Sequence, residues 1–273
     1  MKSWTESELV SHLKQLGITP GGILLVHSSL RSLGKVEGGA ETVVNALLEA
    51  LGPEGTLLMP GFQSGSEYIF ASSGICFDAK NTPSECGYLT EYFRNLPNVI
   101  RSLSPTHSIS GLGPKAEYLL SNHEKCNVTA GWGSPFEKMI EAGAQILMLG
   151  TSRESNTTMH FLENTGGAPT VCAAAFDTSV ISLDGEKITT RIFPHMPGLH
   201  RNYTKAITLL EKAGYLSSGK VGDAACELYP ASKLCDIVYK ELSLNPCAFI
   251  KVFTPERIEI FPEIHNNSDM KQE

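Results

Sequence analysis

His160 and Glu163 stand three residues apart in Thr157-Thr158-Met159-His160-Phe161-Leu162-Glu163. That spacing puts both side chains on one face of a helix, and an imidazole beside a carboxylate can take a proton from a weak nucleophile. The segment follows the apolar run Ala144-Gln145-Ile146-Leu147-Met148-Leu149-Gly150. A strand ending in Gly, a polar turn and a helix form the place where open α/β sheets put their chemistry. Thr157 and Thr158 add hydroxyls to the first turn. By spacing alone the pair reads equally as a catalytic unit or as a helix-surface ion pair contributing ~0.2–0.5 kcal/mol.

Other chemistry-bearing residues are less pointed. The loop Ser28 to Gly39 carries Gly34, Gly38 and Gly39 with Arg31 and Lys35, and it leads into a helix. Glycines let backbone N–H groups approach an anion, and a helix N-terminus favours negative charge. The loop is neither GxGxxG nor GxxxxGK[ST], so it serves a phosphate or is a plain βα turn. His27, at a strand end, and His107, in Ser104-Pro105-Thr106-His107-Ser108, read as hydrogen-bonded structural residues or as catalysts. His195 and His200 match no HExxH or Cys/His pairing, so no metal is expected. The absence of a GxSxG elbow removes the case for a serine nucleophile.

The elements that must position these residues follow from periodicity. Thr5 and Glu8 form a capping box, and Leu9, Val10, Leu13 and Leu16 repeat at helical spacing up to Gly17, which predicts a helix over 5–16. Residues 22–27 read as a buried strand. A helix carrying Val43, Val44, Leu47, Leu48 and Leu51 follows, then a strand over 55–60, and the three make a parallel βαβ unit. Residues 61–87 show no steady period and read as a surface excursion. Helices are expected at 87–94, 114–120, from Ser134 to Ile140, 202–213 and 230–242. Strands are expected at 144–150, 171–176, 179–183 and 187–193, the last two joined by an Asp184-Gly185 turn, and near 247–253. The fold expected is one α/β domain over 1–273, with a central mostly parallel sheet flanked by helices and an antiparallel β extension.

Composition sets the outer bounds. The chain has 273 residues, 41% of them hydrophobic and 19% charged, as in ordinary globular proteins. No apolar run approaches the ~20 residues of a membrane span, and the N-terminus lacks a secretory pattern, so a cytoplasmic protein is expected. Seven scattered cysteines without CxxC spacing read as reduced thiols. A net charge of −7 speaks against nucleic acid and is compatible with a cationic small molecule.

The run Leu24-Leu25-Val26-His27-Ser28-Ser29-Leu30, followed by Leu33-Gly34-Lys35-Val36-Glu37-Gly38-Gly39-Ala40-Glu41-Thr42-Val43-Val44, resembles the aminoglycoside 3-N-acetyltransferase (antibiotic N-acetyltransferase) family. The likeness continues through Gly55 to Pro60, Ser104 to Ser108, Gly111 to Pro114, Gly133 to Glu137, Ile146 to Gly150, the Thr157/His160/Glu163 pattern and Lys220 to Ala224. The resemblance implies an acetyl-CoA-dependent N-acyltransferase with a fold distinct from the common GNAT enzymes. It implies acetyl-CoA along His27, Ser28, Ser29, Arg31, Lys35, Val36, Gly38 and Gly39, and a pantetheine arm near Ser104, His107 and Ser108. His160 would be the general base, Glu163 or another acid would orient it, and Thr157 or backbone N–H groups would meet the oxyanion.

A cationic amino sugar, acetylated on the 3-amino group of 2-deoxystreptamine, is the implied acceptor. Its candidate acidic contacts are Glu67, Asp78, Glu85, Asp223 and Glu227. A monomer or homodimer that binds neither nucleic acid nor membrane is expected. The alternatives are an acyltransferase for another small amine, a metal-dependent hydrolase and a non-catalytic CoA-binding module.

Overall fold

The computed structural model describes residues 2–251. In chain order the elements are β1 (Ser3–Trp4), α1 (Glu6–Leu16), β2 (Ile23–Ser28), β3 (Lys35–Val36), α2 (Ala40–Leu51), β4 (Thr56–Pro60), α3 (Glu67–Ser72), β5 (Cys76–Asp78), α4 (Tyr88–Arg94), β6 (Ile100–Arg101) and β7 (Ile109–Leu112). The second half adds α5 (Ala116–Leu120), α6 (Pro135–Glu141), β8 (Gln145–Leu149), α7 (Thr158–Thr165), β9 (Phe176–Ile181), β10 (Lys187–Ile192), α8 (Tyr203–Lys212), β11 (Ser217–Val221), β12 (Ala224–Pro230) and α9 (Ala231–Leu244).

Seven strands form the main sheet in the order β11-β12-β8-β2-β4-β7-β6. The expected α/β class holds, but the sheet is mixed rather than mostly parallel. Only β8-β2 and β2-β4 run parallel, and the outer pairs are antiparallel. The central strands are apolar along their middles because both faces are covered. Leu24, Val26, Leu57, Met59, Leu147 and Leu149 pack into the core beneath α1, α2 and α4. Ile23, Leu25, Leu58, Ile146 and Met148 face the opposite core, beneath α5 to α9. This strict alternation is the two-residue period of a strand sandwiched between helical layers.

The Thr5/Glu8 capping box forms, and Gly17 ends α1 in the left-handed region, as expected. The excursion at 61–87 is more ordered than its sequence implies, since it contains α3 and β5. At six and three residues these are too short to leave a periodic signature. β5 joins β9 and β10 in a second sheet, ordered β10-β9-β5, over a small core of Phe77, Ala79 and Val180. The segment expected as a strand over 171–176 contributes one bridge, Val171 to His195, and the strand begins at Phe176. The expected strand near 247–253 appears as a single bridge, Arg201 to Ile250, and its last two residues lie outside the described residues. Among the described residues no helix is long and apolar enough to cross a membrane.

Candidate active site

His160 emerges from α7 at the C-terminal edge of the parallel strands. The 3-10 turn Arg153–Ser155 separates β8 from α7, and Asn156 Oδ1 accepts the Thr158 N–H at 3.0 Å. Met159, Phe161 and Leu162 anchor α7 in the core, leaving His160 20% exposed while Glu163 is fully buried. The two do not pair closely, because His160 Nδ1 and Glu163 Oε2 are 3.9 Å apart. The Tyr203 hydroxyl fills the gap, lying 3.0 Å from His160 Nδ1 and donating to Glu163 Oε2 at 3.0 Å. Arg201 Nε donates to the same carboxylate oxygen at 2.9 Å.

A phenol has one proton. With that proton on Glu163, His160 Nδ1–H is the donor to Tyr203 Oη, and its Nε2 carries the lone pair. Burial, aided by the neighbouring His195, Arg201 and His107 side chains, holds His160 well below the usual histidine range, so the ring is a neutral base. Burial pushes the Glu163 carboxyl above its ordinary value and outweighs the opposing pull of Arg201 and Tyr203. The Tyr203 hydroxyl is pushed well up by burial and by Glu163, so it stays protonated.

Two clefts share His160 and Phe62 as walls. The first, of about 260 Å³, is lined by Glu67, Thr106, His107, His195 and Arg201. The second, of about 310 Å³, is lined by His27, Ser28, Glu85, Cys86, Asn156 and Thr157. His27 Nε2 and Thr157 Oγ1 are buried without a protein partner, and burial drops the His27 imidazole to about 4. A third cleft, of about 660 Å³, abuts the second through consecutive residues and is lined by Ser29, Arg31, Gly34, Lys35, Gly39 and Tyr88. It opens at the N-terminus of α2, where Gly38 and Gly39 take positive φ. Two cations, free helical amides and an exposed aromatic ring at Tyr88 suit a nucleotide pyrophosphate and base.

The remaining candidates scatter. Of the five acids, Glu67 enters the first cleft and Glu85 the second, where it accepts the Ser64 N–H at 2.9 Å. Asp78 caps a turn by accepting from Lys80 N, Asn81 N and Asn81 Nδ2. Asp223 accepts from Trp4 Nε1 at 3.2 Å, and Glu227 pairs with Arg153. Neither reaches His160, so Tyr203 holds the ring instead. Val36 also lines the third cleft. Ser104 and Ser108 are buried, accepting from His107 N and donating to Gly61 O respectively. Their hydroxyls bond within the loop, and His107 lines the first cleft.

Sequence reading missed Tyr203, Arg201, Thr129 and Asn164, none of which sits in a motif. It also set His195 aside, although Glu67, His107 and His195 bring their ligating atoms within 4.8 Å of one another. Burial would raise the Glu67 carboxyl, but His195 and His107 outweigh it and hold the group well below its usual range. The trio has the composition of a divalent-cation site, but both its Nδ1 atoms face hydrogen-bond acceptors.

A family model described as aminoglycoside 3-N-acetyltransferase matches residues 25–243. The chain belongs to that family. Aminoglycoside N(3)-acetyltransferase IV from Salmonella is 31% identical over 255 residues, covering 90% of each chain. The crystal structure of a histidine-to-alanine mutant of aminoglycoside acetyltransferase AAC(3)-IVa, in complex with gentamicin, superposes with a TM-score of 0.80 at 28% identity, over 94% of each chain. AAC-IIIb, solved as a binary complex with CoASH, shares the fold with a TM-score of 0.79 at 23% identity, over 93% of this chain and all of the other. As a member of the aminoglycoside 3-N-acetyltransferases, the chain thus has relatives crystallised with CoA and with an aminoglycoside.

Proposed function

We propose that this protein acetylates an amino group of a cationic amino sugar from acetyl-CoA, the 3-amino group of a 2-deoxystreptamine aminoglycoside being the intended acceptor. The observation that carries the reading is the place of His160, a neutral imidazole at the junction of two clefts with Nε2 open and Nδ1 fixed through Tyr203 to Glu163. Direct transfer between two substrates needs such a junction, because donor and acceptor must approach one base from separate sides.

In this reading Arg31, Lys35 and the α2 amides hold the phosphates of acetyl-CoA in the third cleft, and its acyl arm follows the second cleft past Ser28 to His160. The acceptor occupies the first cleft, where His160 meets it. His160 Nε2 removes a proton from the attacking amine, and the imidazolium is stabilised through Tyr203 by Glu163. The buried, unpartnered Thr157 hydroxyl donates to the oxygen of the thioester as it becomes an oxyanion.

The test is CoA thiol release from acetyl-CoA across a panel of aminoglycosides and simple amines. Turnover with deoxystreptamine antibiotics, lost by roughly 10²–10⁴-fold in His160→Ala with acetyl-CoA binding intact, is the expected result. Silence with every antibiotic but turnover with another amine would move the acceptor outside the aminoglycosides.

A further inference from the structure

The first cleft holds more proton-handling chemistry than His160 requires, and its protons can be assigned one by one. Thr106 and Thr129 each have one hydroxyl proton, and both donate it to Glu67 Oε1, Thr106 at 2.7 Å. His107 Nδ1 lies 3.1 Å from Thr106 Oγ1, 3.0 Å from Thr129 Oγ1 and 3.3 Å from Glu67 Oε1. With both hydroxyl protons committed, the proton in those contacts belongs to the imidazole. His107 therefore carries a proton on Nδ1, and in the neutral ring its Nε2 holds the lone pair.

His195 resolves in the same way. Asn164 Nδ2 donates to Ala130 O at 2.9 Å and Asn164 Oδ1 accepts from Thr170 Oγ1 at 2.9 Å, which fixes the amide orientation. The same Nδ2 therefore donates to His195 Nε2 at 3.0 Å, leaving the His195 proton on Nδ1 against Glu67 Oε2. A cation held here would need both Nδ1 atoms unprotonated. In these tautomers the cluster carries protons, which a bound cation would have to displace. Among the described residues nothing pairs with His107 Nε2, and it is not one of the buried unpartnered atoms, so it opens on the cleft.

We propose that His107, positioned by Glu67, is a second proton acceptor that takes the proton an acceptor ammonium must lose before it can attack. This rests on the acetyl-transfer reading above. The chemistry requires two proton removals, because R–NH3⁺ + CH3CO–S–CoA gives R–NH–COCH3 + CoA–SH + H⁺. His107 Nε2 takes the first N–H proton, freeing the nitrogen lone pair to form the C–N bond as the carbonyl π pair moves onto oxygen. When that pair returns, the C–S bond breaks and thiolate leaves. His160 Nε2 takes the second N–H proton and passes it to the thiolate, and His107 returns the first to solvent.

Position and charge divide the roles. His160 touches both clefts, while His107 lines only the acceptor side. His107 sits directly against an anionic carboxylate, whereas His160 reaches one only through a neutral phenol. The groups facing His107 are Glu67 from α3, His160 from α7, His195 after β10, His123 behind Thr129, and Arg201 across the cleft. Of these only Glu67 is a carboxylate.

His107→Asn tests the assignment, because the amide nitrogen can still donate to Glu67 while Nε2 is lost. For a wholly protonated aliphatic amino sugar at pH 7, kcat/KM should fall roughly 10²-fold and the acid limb should move up toward the amine's own pKa. Turnover of a small alkoxyamine, which is neutral at pH 7, should stay within about twofold of wild type, and so should acetyl-CoA affinity. Glu67→Gln should show the same selectivity between acceptors. Equal losses on both acceptors, or an unmoved acid limb, overturn the proposal.

The wild type gives an independent test. Equimolar zinc retained on the purified full chain, with activity lost on chelation, overturns the proposal as well. A wild type that acetylates no amine removes the acetyl-transfer reading itself.

Discussion

Tyr203→Phe isolates the link between His160 and Glu163. The phenol oxygen is 3.0 Å from both partners, which are themselves 3.9 Å apart, so no direct contact replaces it. The substitution leaves the ring in place and strips the acceptor from His160 Nδ1–H. Glu163 keeps Arg201 Nε at 2.9 Å, while its Oε1 is unpartnered from the start. A hydrogen bond to a group that becomes charged is worth about 1.5–3 kcal/mol, and His160 becomes charged only as it takes the proton. At about 1.36 kcal/mol per decade of rate, kcat should fall roughly 10- to 150-fold. The KM for acetyl-CoA should hold, since Tyr203 lines none of the cleft at 29–39. Initial rates of thiol release measure both. If the three residues act as a unit, Tyr203→Phe and Glu163→Gln should couple by at least ~1 kcal/mol in a double-mutant cycle. A kcat within twofold of wild type, or additive effects, would falsify the relay.

Charge reversal at Arg31 and Lys35 together should raise the acetyl-CoA KM by at least about tenfold and leave an acetyl-pantetheine donor unaffected, because both cations line the third cleft; equal effects on the two donors would remove the phosphate assignment. Thr157→Val should lower kcat roughly 10- to 100-fold with little change in either KM, if its unpartnered hydroxyl meets the oxyanion; steady-state kinetics decide. Arg101 donates to Ala79 O, Thr82 O and Gly61 O and lies 4.6 Å over the Phe77 ring. Arg101→Met should therefore cost about 2–4 kcal/mol in urea unfolding and loosen the 61–87 segment; an unchanged midpoint would show that the segment is held elsewhere. His27 and His123 are buried, and burial lowers them from the ordinary histidine value of 6.5 to about 4 and about 3. A depressed folded value gives stability that is present above pH ~6.5 and is lost as pH falls toward the folded value, at about 1.4 kcal/mol per pH unit for each group; equal urea midpoints at pH 7 and pH 5 would refute this.

The strands that were legible in the sequence are those buried on both faces. Ile23 to Val26, Leu57 to Met59 and Ile146 to Leu149 have no polar interruption, and their boundaries follow from flanking glycine and proline. β12 was missed because Ala224-Ala225-Cys226-Glu227-Leu228-Tyr229-Pro230 mixes small, charged and proline residues. It becomes a strand through its antiparallel pairing with β8, which sequence periodicity does not register. The 61–87 segment failed for another reason. α3 and β5 are stabilised by distant partners, Glu67 by His195 across 128 residues and β5 by β9, so no local pattern was needed to specify them.

The site divides along the same line. His160 and Glu163 were visible because one helix carries both, but spacing overstated their contact. An i,i+3 pair can touch only if both rotamers allow it, and here Glu163 turns into the core toward Arg201. Tyr203 enters from the start of α8, forty-three residues later in the chain than His160. The same holds on the acceptor side, where Glu67, His107, Thr129 and His195 come from four separate segments and are united by one carboxylate. A carboxylate so deeply buried is tolerable only when donors surround it. Thr106, Thr129 and the two imidazoles supply them, and those protons are also what turn the lone pair of His107 toward the cleft. The requirement that stabilises Glu67 in the fold therefore sets the tautomer of the ring beside it.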